Sequence, residues 1–162
     1  MQEFDERKFQ LAQLELIKTI DQKCKALGIR YYIIAGTLLG AVRHGGFIPW
    51  DSDIDIAMRR TDYEIFRSYW LEHEEDNYFW EDYSSDPNHL SPHAIFRKKG
   101  THVIFKIRES EYYKPSHDGI YLDIFPLDEP PADPILQKIQ MLKIKLLKRL
   151  IDLKIGFIYS ET

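Results

Sequence analysis

The sequence predicts an α/β domain of the α+β kind: a short mixed sheet with helices packed on it. Two kinds of periodicity and the order in which they alternate lead there. Apolar residues recur at three- and four-residue steps over 9–27, 65–70 and 135–153, the period of amphipathic helices. Between these stretches lie short apolar runs rich in Ile, Val, Tyr and Phe, punctuated by glycine and proline, which read as strands. The composition supports a packed core. With 44% hydrophobic and 30% charged residues in 162 positions, the chain suits one domain rather than a disordered segment, and it needs no disulfide to hold it.

Phe9, Ala12, Leu16, Ile20, Cys24 and Leu27 form the first helical stripe, and Gly28 is placed to end it. Cys24 sits on that stripe, so it reads as a small buried hydrophobe rather than a nucleophile. Tyr31–Ala35 follows as the first strand, then a Gly36-Thr37 turn leading into the amphipathic piece Leu38–Val42. Asp53-Ile54-Asp55-Ile56 alternates as a second strand. Thr61 and Glu64 have the spacing of a capping box, opening a helix whose Ile65, Phe66, Tyr69 and Trp70 face inward. Residues 74–93 read as surface loop with short strands. Ala94–Arg97 and Val103–Ile107 flank Lys98-Lys99-Gly100 as a hairpin, and Gly119–Phe125 forms a last strand ending at Pro126. The domain reading is a catalytic core over 1–128, then a Pro130-Pro131 break and a basic amphipathic helix within 129–162.

Charge narrows the partners. Residues 135–155 carry six basic side chains against Asp152 alone, a net +5, and the rest of the chain holds −9 of the overall −4. An acidic body argues against duplex nucleic acid, whose binding needs clustered basic charge. The basic stretch instead suits a core-packed helix or peripheral contact with an anionic membrane through residues 135–155. Acids at Glu3, Asp5 and Glu6 stand where a signal peptide would carry basic residues, so the expected location is cytoplasmic, including the inner face of the membrane.

The chemistry concentrates on acids. Carboxylates at i and i+2 of a strand share a face with Cα atoms about 6.5–7 Å apart, and inward-leaning side chains then bring oxygens within about 2.1 Å of Mg²⁺. Asp53 and Asp55 fit that spacing. Asp123, inside the apolar run Leu122-Asp123-Ile124, is costly to bury without a partner, so it is the candidate third acid, as metal ligand or as base toward an attacking hydroxyl. Backbone N–H groups at the Gly36-Thr37 turn suit a phosphate. Three acids beside a phosphate turn suit phosphoryl-type transfer.

The segment G-T-L-L-G-A-V-R-H-G-G-F-I-P-W-D-S-D-I-D-I-A-M, with G-I-Y-L-D-I-F-P-L-D further on, resembles the LicD family of phosphotransferases. That family belongs to the nucleotidyltransferase fold superfamily and shares its domain with fukutin and fukutin-related protein. The likeness runs from about Leu11 to Asp128. It implies a nucleotidyltransferase-like fold and Mg²⁺- or Mn²⁺-dependent transfer of phosphocholine or a polyol phosphate from a CDP-activated donor to a glycan or glycolipid hydroxyl. It implies catalytic and metal-binding roles for Asp53, Asp55 and Asp123, and it matches Gly36 and Thr37 to the family's glycine turn and Arg43 and His44 to its basic pair. The sequence departs from the family at Ser52, where an aspartate is usual, at Gly46, where a lysine is frequent, and at Ile95, where a basic residue is usual.

Arg43, Arg97 and Lys98 divide evenly between contact with donor phosphates and ordinary surface charge. His44 reads as a substrate contact or a hydrogen-bonded structural histidine, and Trp50 as a platform for a cytosine or choline or as a wedge in the core. His117 is a pocket candidate. His89 and His93 have zinc-like spacing, but Pro92 between them removes the helix that would align them. Two rivals stand beside the phosphotransferase reading: nucleotidyl transfer by the same fold, and a glycan- or partner-binding module without chemistry.

Overall fold

A computed structural model describes residues 5–73, 77–89, 91–103 and 117–160, with side chains through residue 151. Helix α1 (Glu6–Leu27) opens on Asp5, whose carboxylate accepts from the Lys8 N–H, and closes on Gly28 at φ 68°. That left-handed conformation costs glycine nothing, which is why the helix stops there. Its buried stripe is Phe9, Gln13, Leu16, Ile20 and Cys24, so Gln13 rather than the expected Ala12 takes the deep position. Burial, then the charges of Asp21 and Asp62, push the Cys24 thiol up to about 12, leaving it an inert core group.

Strand β1 is only Tyr32–Ile33, shorter than the expected 31–35. Ala35 adopts φ 48° and the chain turns at once into α2 (Ala35–His44), so Gly36 and Thr37 lie in the first turn of a helix rather than in a turn before one. Strand β2 (Asp55–Arg59) runs directly into α3 (Arg60–Glu72). The helix therefore begins before Thr61, which corrects the capping box, and no side chain caps it. Tyr63, Phe66 and Trp70 face inward while Ile65 is exposed, because the start of the helix sets which side meets the sheet.

Strands β3 (Tyr78–Glu81), β4 (Ala94–Lys98) and β5 (Tyr121–Leu127) complete a five-stranded sheet in the order β1-β2-β5-β4-β3. The β2–β5 pair is parallel and the others antiparallel, which makes the sheet mixed, as expected. The second strand of the expected hairpin falls on residues outside the described ones; β4 pairs with β3 on one side and β5 on the other. Pro126, expected to end the last strand, sits within it opposite Met58. Pairing with β4 stops at Ile124, so one side of β5 is already open there and the missing N–H is tolerated.

One sheet face carries Ile54, Ile56, Met58, Leu122, Ile124, Phe96 and Trp80 against α1 and α3, with Phe66 meeting Trp70 and Trp80 edge-on at 6.0 and 5.9 Å. Alternation along the strands leaves Asp55, Asp123, Ile95, Arg97 and Glu81 on the other face. The chain divides into two compact units, residues 1–127 and 128–162. The second is built on α4 (Pro134–Ser160), whose first N–H groups, those of Ile135 and Leu136, are capped by Asp133. Ile135, Ile139, Leu142, Leu146 and Leu150 of α4 are exposed. Among the described residues no helix is long and apolar enough to cross a membrane.

Candidate functional site

The parallel register of β2 and β5 sets Asp55 directly opposite Asp123, and the Asp123 N–H donates to the Ile54 carbonyl at 2.9 Å. Directly opposed residues share a face, so both carboxylates emerge together. Asp53, two residues before Asp55, lies half-buried, while Ile54 and Ile56 between and beyond the acids are 1% and 0% exposed. Asp51 and Asp53 both precede β2, which starts only at Asp55 rather than at the expected Asp53, and Asp51 N–H closes a turn on the Ile48 carbonyl at 3.0 Å. Burial first, then a hydrogen bond to Asp51 and the charges of Asp51, Asp55 and Asp123, push the Asp53 carboxyl up to about 7. Burial and the charges of Asp123 and Asp51 raise Asp55 as well, against an opposing effect of His93.

The first turn of α2 borders this cluster. Asp55 N–H donates to Thr37 Oγ1 at 2.8 Å and Ile34 N–H to the Asp55 carbonyl at 3.1 Å, which ties the helix start to the start of β2. A Cβ at Gly36 would collide with Asp51 Oδ2, so only glycine lets that carboxylate lie against the helix N-terminus. A cleft of about 160 Å³ opens here, lined in part by Gly36, Thr37, Asp51 and Asp53. From below, α1 holds the acid-bearing segments: Gln13 Nε2 donates to the carbonyls of Ser52 and Tyr121 at 3.0 and 3.1 Å, and Gln10 Nε2 to that of Asp51 at 3.0 Å. One buried amide thus links the approach to β2 with the start of β5.

On the far side of Asp123 stands His93, its Nε2 3.5 Å from Asp123 Oδ1 and its ring tilted on Phe125 at 4.3 Å. His93 is held through its backbone, since His89 Nε2 donates to its carbonyl at 2.9 Å and His89 Nδ1 meets Glu81 at 3.1 Å. Glu81 also pairs with Arg97, whose Nη1 donates to the Gly119 carbonyl at 3.2 Å. Arg97 is 3% exposed and Glu81 0%, so Arg97 is a buried ion-pair partner rather than surface charge.

A profile described as "LicD/FKTN/FKRP, nucleotidyltransferase domain" matches residues 28–138, more than half of the chain and the whole acid-bearing sheet region. The chain belongs to the LicD family. This LicD-family domain is similar to lipopolysaccharide cholinephosphotransferase LicD of Haemophilus influenzae, 40% identical over 72 residues that make up 44% of the chain and 27% of that protein. It is also similar to human ribitol 5-phosphate transferase FKRP, 50% identical over 38 residues, which are 24% of the chain and 8% of that protein. An uncharacterised Rickettsia prowazekii protein is 44% identical over 52 residues, 20% of its length. The matched segments therefore span well under a third of each relative.

In this LicD-family domain Gly36, Thr37, Asp53, Asp55 and Asp123 come together. Arg43, His44 and Trp50 do not join them: Arg43 and His44 occupy the last turn of α2, about 10 Å along the axis from Gly36 at 1.5 Å per residue, and the His44 ring meets exposed Trp50 at 6.4 Å. Lys98 projects from the sheet face opposite Asp123, and His117 packs on Phe79 at 4.0 Å. The sequence reading passed over Asp51 and gave His93 no place beside the acids. The Asp51-x-Asp53-x-Asp55 alternation signals the first, whereas nothing local signals the second.

Among the described residues no group of three or more His, Cys, Asp or Glu side chains is arranged to hold a metal ion. The donor chemistry nevertheless fits a divalent cation. Burial and the neighbouring Asp51, Asp55 and Asp123 push Asp53 toward its protonated form, and Asp123 Oδ1 is buried without a hydrogen-bond partner. Like-charged, half-buried carboxylates with an unsatisfied oxygen are what a hard cation relieves.

Proposed function

We propose that this domain transfers a phospho-alcohol, phosphocholine or a polyol phosphate, from a CDP-activated donor to a hydroxyl of a glycan or glycolipid. The observation that carries the reading is the register of Asp55 opposite Asp123, with Asp53 beside them and the N-terminus of α2 at the same edge. Family membership and the activities for which the cholinephosphotransferase and ribitol 5-phosphate transferase relatives are named support it. Asp53, Asp55 and Asp123 are the side chains that would hold Mg²⁺ or Mn²⁺, which when bound offsets phosphate charge and polarises the bond to be broken. Donor phosphate oxygens would take the place of the Asp51 carboxylate at the α2 N-terminus and accept from its N–H groups. The acceptor oxygen forms a bond to the distal phosphorus, the anhydride P–O bond breaks and CMP leaves. The acceptor's proton passes to Asp123, whose Oδ1 accepts no hydrogen bond and faces His93 Nε2 at 3.5 Å.

Incubation with CDP-choline, CDP-ribitol or CDP-glycerol and Mg²⁺ tests this: one donor should release CMP, faster with acceptor present. Pyrophosphate release from a nucleoside triphosphate instead would favour nucleotidyl transfer, and no turnover with saccharide affinity indifferent to EDTA would favour a binding module. We further propose that α4 meets an anionic membrane surface, because its exposed apolar residues run beside Lys138, Lys145, Lys148 and Arg149.

A further inference from the structure

A second cavity, of about 220 Å³, opens where the start of α3, the end of β3 and the segment before β4 meet, toward the C-terminal ends of β2 and β5. Arg60, Tyr63, Arg67, Asp82, Tyr83 and His93 are among its walls. His93 is the informative one, since its ring lines this cavity while its Nε2 stands 3.5 Å from Asp123 Oδ1. The cleft beside α2 approaches the acids from Asp53, and this cavity approaches them from Asp123. An in-line displacement needs donor and acceptor on opposite sides of the transferred phosphorus.

The chemistry of the walls says what the cavity holds. Both arginines are already neutralised: Arg67 Nε donates to Asp82 Oδ2 at 2.6 Å and its Nη2 to Ser84 Oγ at 2.7 Å, while Arg60 pairs with Glu64 at 3.3 Å. A phosphate would find no spare positive charge there. Burial opposes ionisation of Asp82, but hydrogen bonds from Ser84, Trp80 and Arg67 outweigh it and hold the carboxyl at about 2, so it stays a charged acceptor. Asp82 is 2% exposed and both its oxygens already accept hydrogen bonds, so its part is to fix Arg67 and cancel its charge, while half-exposed Glu64 and Ser91 in the same walls are the groups that meet a hydroxyl. At the rim, the Tyr83 ring is 79% exposed and backed by the Arg67 guanidinium 5.5 Å from its centroid, an aromatic face open to the C–H face of a sugar. The volume is below the roughly 300–1,000 Å³ of drug-sized clefts, which limits the occupant to about one ring.

We propose that this cavity is the acceptor subsite, seating one neutral saccharide ring on Tyr83 and presenting its hydroxyl past His93 to Asp123. The proposal rests on the transferase reading for its purpose, and two measurements keep the two separable. In the first, neutral hexoses and N-acetylhexosamines are titrated without donor or metal while amide NMR signals of residues 82–84, Ser91 and His93 are followed. A neutral sugar should shift them in the wild-type protein and Tyr83→Phe, but not in Tyr83→Ala. Shifts with inorganic phosphate in place of every neutral sugar, or with none of the probes, would overturn the subsite whether or not the protein is a transferase. The second measures CMP release without acceptor and transfer with it. Tyr83→Ala should raise the acceptor KM by at least ~10-fold with donor hydrolysis unchanged, and Tyr83→Phe should restore it. Equal loss of hydrolysis and transfer in Tyr83→Ala would move Tyr83 to the donor side and sink the assignment.

Discussion

Asp53 carries the tension of the acid cluster, and that tension depends on pH. Its carboxyl is raised from 3.8 to about 7, so the folded state favours the protonated form. The stability this contributes is fully present below about pH 4 and is lost as pH rises through about 7. Melting of the metal-free protein between pH 4 and 8 should show that decline, Mg²⁺ should offset it at the upper end, and Asp53→Asn should flatten the profile while removing the Mg²⁺ response. Asp82, held at about 2, acts in the opposite direction and only in acid, so the two windows are distinct. Asp123→Asn should lower kcat by at least ~100-fold with donor KM changing less, because it removes a proton acceptor rather than a phosphate contact. A normal kcat with reduced stability would make Asp123 a structural acid. Arg97 has a different role from the surface or phosphate contact that its sequence neighbours imply. Arg97→Ala takes the guanidinium from Glu81, which is 0% exposed and keeps its contact with His89, and should cost about 3 kcal/mol in denaturant unfolding.

At the scale of elements, the site is a meeting of edges. Helix α2 brings its N-terminus, β2 and β5 bring carboxylates in parallel register, and α1 reaches beneath them through Gln10 and Gln13. The two glutamines lie on a stripe that sequence periodicity reads as purely apolar; they are tolerated there because each amide finds backbone carbonyls. Helix α4 offers another kind of edge, apolar residues exposed beside a basic row. If that row faces lipid, the protein should co-sediment with vesicles containing phosphatidylserine and be released by raised salt, since each lysine near such a surface contributes about 1 kcal/mol. Sedimentation unaffected by vesicle charge would refute the membrane contact.

For the whole molecule, every residue of the acid cluster and both cavities lies within residues 1–127, one of the two compact units. A chain ended after Leu127 should therefore unfold cooperatively and keep the Mg²⁺-induced rise in melting temperature. Loss of cooperativity on truncation would show that the second unit is needed for the first to fold. The sequence alone determined what depends on neighbours: the helical stripe closed by Gly28, the burial of Ile54 and Ile56 behind Asp53 and Asp55, and the inert setting of Cys24. These follow from local backbone geometry and from periods of 3.6 and 2, which a few residues suffice to define. It also made Asp123 conspicuous, as an acid within an apolar strand. Only the tertiary structure decided that β5 lies between β2 and β4, and that order alone turns a solitary acid into the partner of Asp55. The same order buried Arg97 on Glu81, carried Arg43 and Trp50 to the far end of α2, and set His93 against Asp123. Adjacency in a sheet is a property of which strands pair, and no local period encodes it.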